Sequence, residues 1–160
     1  MKKLKFSFFI LFLFSIKALS QDLSIAITYL DGEKSKDSHS MEENYAISNS
    51  SVAYTVKYTG HKGKGQEDNS KVCTFTEQDL KNIRKTIETK NLNVTDSLFQ
   101  ESSKTKSFEH YCNIVIDMDI DGQHYNIKIN GDVKEFDDNN LYKNSVFFLT
   151  MLRRMVEGCK

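Results

Sequence analysis

The sequence predicts an α+β domain, a four-stranded antiparallel sheet with two helices packed on one face. Three observations carry that reading. Apolar and polar residues alternate on both sides of an Asp121-Gly122 pair. Two stretches, beginning at Thr76 and Asp137, take up helical spacing behind residues that cap helix starts. Strand-like stretches precede each helix, so that a ββα unit reads twice (ββα-ββα).

Leu23, Ile25, Ile27 and Tyr29 stand two apart and mark the first strand. The second, Ala53-Tyr54-Thr55-Val56-Lys57-Tyr58-Thr59-Gly60, parallels His124-Tyr125-Asn126-Ile127-Lys128-Ile129-Asn130-Gly131. Both alternate aromatic or branched residues with polar ones and end on glycine. Internal duplication explains the likeness; so does the chance similarity of amphipathic elements. The first helix opens at Phe75-Thr76-Glu77-Gln78-Asp79-Leu80. Thr76 supplies the N-cap hydroxyl, Asp79 the N3 carboxylate, and Phe75 with Leu80 a hydrophobic staple. Leu80, Ile83 and Ile87 then form a narrow apolar stripe, placing the helix on the surface with one buried edge.

Cys112, Ile114, Ile116, Met118 and Ile120 share one face of the third strand. Asp121-Gly122 fits the two positive-φ positions of a type I′ turn. A two-residue turn pairs Met118 with Tyr125, Ile116 with Ile127 and Ile114 with Ile129. A slip of one residue would bury Asp or Asn, so this register is specified by burial. The second helix is read from an Asp137 cap to about Glu157, with Gly158 as its left-handed terminator. Segments 31–44, 61–71 and 93–107 read as long polar loops.

Residues 1–20 have the layout of a secretory signal peptide: Lys2, Lys3 and Lys5, an apolar run from Phe6 to Ile16, then Ala18-Leu19-Ser20. A retained anchor is the rival reading, but the run of about eleven residues falls short of the roughly 20 that a span requires. Residues 21–160 are then one domain, exported to a periplasmic or extracellular space, with no stable membrane span after cleavage. Cleavage removes Lys2, Lys3, Lys5 and Lys17 from the 22 basic residues, leaving 18 against 22 acidic ones, a net charge of −4. That balance gives no general pull towards nucleic acid or an anionic membrane.

Export changes the reading of Cys73, Cys112 and Cys159, since two of three should pair in an oxidising compartment. A helix of about 20 residues carries Cys159 roughly 30 Å from the start of the Cys112 strand. Cys73 lies just before the first helix, near the matching end of its own unit. The expected disulfide is therefore Cys73–Cys112, with Cys159 unpaired or bonded to another chain.

Chemical motifs are weak. Asp117-Met118-Asp119-Ile120-Asp121-Gly122 matches the opening of an EF-hand calcium loop. The twelfth position, however, is Lys128 and the eighth His124, and the flanks alternate as strands do. Solvent-facing aspartates on a hairpin explain it without an ion. His61, Cys73, His110 and Cys112 lack the short ligand spacing of structural zinc sites, so no metal or cofactor is expected. The chain shows no G-x-S-x-G, no H-E-x-x-H, no phosphate-cradling glycine loop and no C-x-x-C.

The last helix gives the sharpest surface clue. Leu141, Phe148, Leu152 and Met155 form one stripe, widened by Val146, Leu149 and Val156. Phe147 falls on the opposite, polar side, with Met151 and Arg154 beside it, the mark of a partner contact; a loop folded over them is the alternative. The expected function is that of a small exported, non-enzymatic binding protein with an unidentified protein partner, of inhibitor or immunity type. The first alternative is a secreted hydrolase using His61, Glu67, His110 and Asp119. The second is a structural envelope component assembling along an open strand edge.

Overall fold

A computed structural model of the 160-residue chain describes residues 22–33, 40–60, 67–99 and 110–159. The 1–20 leader, His39 and the loop carrying His61 lie outside the described residues. Among the described residues, seven strands and three helices follow in order: β1 (Leu23–Glu33), β2 (Ser40–Ser48), β3 (Ser51–Thr59), β4 (Asn69–Thr74), α1 (Glu77–Thr89), β5 (Thr95–Phe99), β6 (His110–Ile120), β7 (Gln123–Asp132), α2 (Val133–Phe136) and α3 (Asn140–Gly158).

The α+β class is observed, but the sheet is larger than the sequence predicts. It has seven strands in the order β4-β3-β2-β1-β6-β7-β5. Every neighbouring pair is antiparallel except β5 and β7, which run parallel. The duplicated ββα unit is not matched. β2 separates β1 from β3, and β4 stands between β3 and α1.

One continuous face of the sheet is buried. Across it run Val52, Ile47, Ile25 and Met118, then Tyr54, Tyr45, Ile27, Ile116 and Ile127. Burying a large apolar side chain fully is worth about 1.5–3 kcal/mol, so alternation on this scale selects the face. α1 adds Ile83 and Ile87; α3 adds Phe148, Leu149, Leu152 and Val156.

The hairpin register, its turn and the first helix cap are as the sequence predicts. The β6–β7 register places Met118 opposite Tyr125, Ile116 opposite Ile127 and Ile114 opposite Ile129. Asp121 and Gly122 take φ of 52° and 82°, as a type I′ turn requires. Thr76 and Asp79 form the capping box of α1, with Thr76 Oγ1 accepting from the Asp79 N–H at 3.2 Å.

The start of α3 is corrected. Asp132 caps a single turn, α2, which ends at Phe136. Asn139, not Asp137, caps α3, accepting from the Leu141 and Tyr142 amides at 2.8 and 3.3 Å. Gly158 does not terminate the helix through a positive φ; the chain leaves it in extended backbone at Cys159.

The disulfide is also corrected. It joins Cys73 to Cys159, with Cα atoms 6.1 Å apart, and Cys112 is a free, buried thiol. Three strands separate β4 from β6, which puts Cys73 and Cys112 about 19 Å apart at the usual strand spacing. α3 instead crosses the buried face and returns its C-terminus to β4. Lys71, two residues before Cys73, donates to the Val156 and Cys159 carbonyls at 2.9 and 2.6 Å. An ammonium is well placed on the negative end of a helix. The end of α3 is thus held by a covalent bond and a charge.

Candidate functional site

The residues facing away from the sheet on α3 form the surface singled out in the sequence. With Phe148, Leu149, Leu152 and Val156 buried, the helical period leaves Phe147, Met151 and Arg154 towards α1 and solvent. Phe147 keeps 50 % of its surface exposed. The Lys90 ammonium, just past the end of α1, sits 4.3 Å above its ring centroid, a cation–π contact. Met151 is half-buried, and its Sδ accepts from Thr86 Oγ1 of α1 at 3.3 Å. Arg154 is exposed. Phe147, Thr150, Met151, Arg154 and Met155 line a groove of about 430 Å³, so Met155, read in the sequence as part of the buried stripe, is only half-buried and opens to this side.

A second hollow of about 370 Å³ lies between α1 and the β6–β7 turn. Its guanidinium is engaged: Arg84 pairs with Asp121 at 2.8 Å and donates to the Asp22 carbonyl at 3.2 Å.

Beneath α3 lies a cluster that sequence reasoning missed. Glu43 of β2 is 1 % exposed, on the buried face of the sheet. Arg153 grips it with two bonds, Nε to Oε1 at 2.8 Å and Nη2 to Oε2 at 2.7 Å. Tyr54 donates to Oε1 at 2.9 Å and Tyr45 to Oε2 at 3.4 Å, the two rings lying 4.8 Å apart. Burial and the Glu43 charge push both phenols well above the usual tyrosine range. The bonds to Glu43 raise the Arg153 guanidinium further. Every carboxylate oxygen has two donors, so the cluster ties α3 to β2 and β3 and leaves no open position for a ligand. The signal was present: Met41, Glu43, Tyr45 and Ile47 are in phase, with an acid on the apolar side.

Near the C-terminal end of β1, two residues beyond the Tyr29 that pairs with Glu43, His110 Nε2 meets Asp31 Oδ1 at 2.5 Å, with Cys112 two residues from His110 on the same face. The set resembles a cysteine–histidine–aspartate arrangement, but the thiol is 0 % exposed. Burial, with Asp31 and Asp132 nearby, pushes Cys112 up to about 12. A thiol held protonated and out of solvent is no nucleophile.

The hydrolase set is not brought together. His110 and Asp119 point to opposite faces of β6, nine residues or about 31 Å apart. Glu67 is exposed just before β4, and His61 lies outside the described residues. Asp119 instead contacts His124 at 3.1 Å across the hairpin, and Asp117 accepts from Asn126. The calcium-like segment is therefore a strand–turn–strand, as its alternating flanks indicate. Among the described residues, no three His, Cys, Asp or Glu side chains are arranged to hold a metal ion. Likewise, no described helix is long and apolar enough to cross a membrane.

Comparison of the sequence with protein-family models finds no match, and comparison with curated proteins finds none either.

Proposed function

We propose that the chain is a small exported protein that works by binding another protein, in the manner of an inhibitor or immunity factor. The observation that carries this reading is Phe147: a large aromatic, half-exposed, in a groove on the outward face of a helix whose inward face is fully packed. Phe, Met and Arg are among the residues enriched at interface cores. The Cys73–Cys159 bond accords with a chain that meets an oxidising compartment.

The test is Phe147→Asp. Because Phe147 is not part of the core, the variant should melt within about 2 °C of the wild type, as surface changes do. Affinity capture from the native envelope fraction should then recover a partner with the wild type that the variant loses. Equal recovery by both chains would overturn the assignment of the surface. A hydrolytic activity abolished by His110→Ala would favour the enzyme reading instead.

A further inference from the structure

We infer that the groove on α3 receives an acidic, amphipathic helix of another protein. The inference rests on the binding reading above and adds the chemistry of the partner. Phe147, Met151 and Met155 lie one helical turn apart, about 6 Å per step, so the floor offers apolar contacts at the spacing a second helix presents. Its volume of about 430 Å³ takes one or two side chains, not a folded domain. Two thioethers make a floor that adapts to the shape laid on it.

Charge chooses the occupant. The lining contains Arg154 and no acidic side chain, and Lys90 stands over Phe147. Of the other cations on α3, Arg153 is taken up by Glu43 and Lys143 lies 3.6 Å from Asp138, so Arg154 and Lys90 set the charge of the rim. That sign is opposite to the net −4 of residues 21–160. A second copy would bring Arg154 and Lys90 against their own kind, which is destabilising. The leader is equally basic, with Lys2, Lys3, Lys5 and Lys17. An anionic membrane is usually held by about four to eight clustered cations, more than this rim supplies. Carboxylates flanking apolar residues three or four apart match both floor and rim.

The experiment places p-benzoylphenylalanine at position 147 of the chain produced in its own host and irradiates intact cells. The adduct should map to a partner peptide rich in Asp and Glu, with apolar residues three or four apart. Arg154→Glu should cut adduct yield about tenfold at low salt, the loss shrinking at high salt, while Arg154→Lys keeps it. A protein adduct on a basic or neutral peptide, or a yield indifferent to Arg154→Glu, overturns the acidic partner but leaves the binding surface standing. A lipid adduct, a self-adduct, or no adduct from a chain that circular dichroism shows to be folded overturns both.

Discussion

Replacing Arg153 by leucine removes the one cation that answers Glu43. The carboxylate side chain is 2 % exposed, so it keeps only the Tyr45 and Tyr54 hydroxyls. Two charge-assisted bonds are lost, each worth about 1.5–3 kcal/mol. Breaking one partner of a buried ion pair typically costs about 3–5 kcal/mol. Arg153 itself retains 36 % side-chain exposure, so water already shares its charge and the low end applies, about 3 kcal/mol. At 2–4 °C per kcal/mol for a chain of this size, the melting point should drop by about 10 °C. The chain has no tryptophan, so urea unfolding is followed by far-ultraviolet circular dichroism. The midpoint should fall at unchanged slope. Glu43→Gln combined with Arg153→Leu should recover about 2 kcal/mol, because the stranded charge is gone while an amide oxygen still accepts from Tyr54. A single variant costing under about 1 kcal/mol, or a double no better than the single, would show that Arg153 does not hold a buried charge.

Cys159→Ser opens a link spanning 86 residues and should cost about 4.6 kcal/mol on the chain-entropy account; reductant should shift the wild-type urea midpoint equally. Non-reducing peptide mapping that joined Cys73 to Cys112 would contradict the observed pairing. Cys112 and Tyr142 are both pushed up to about 12, chiefly by burial, from ordinary values of 9.0 and 10.0. Their folded values exceed their unfolded ones, so that stability is whole below about pH 9 and falls as pH climbs towards 12, where the unfolded chain has released protons the folded chain keeps. Melting points between pH 7 and 11 should decline accordingly, and Cys112→Ala should flatten part of the slope. Iodoacetamide should label Cys112 only as the chain unfolds; rapid labelling under native conditions would contradict its burial.

Three strands escaped the sequence reading for three different reasons. β2 carries Glu43 on its apolar side, which breaks the alternation unless Arg153, 110 residues later, is known to meet it. β4 turns Lys71 inward and leaves Val72 77 % exposed, the reverse of the usual pattern. Only the nearby end of α3, which offers Lys71 its carbonyls, explains that choice. β5 is short and polar, and it pairs in parallel with β7, a neighbour reached only after β6. The outward face of α3 was easier to read, since Phe147 falls out of phase with the stripe that packs α3.

What the sequence determined by itself is what neighbours along the chain can decide: the Asp121-Gly122 turn and its register, the Thr76 capping box, and the buried and open sides of α3. Tertiary structure decided the rest. It set the place of β4 at the far edge of the sheet, and hence which cysteine meets Cys73. It also brought a guanidinium to Glu43. Such contacts join residues about 90 to 110 positions apart, and their energy appears only once the chain between them has folded.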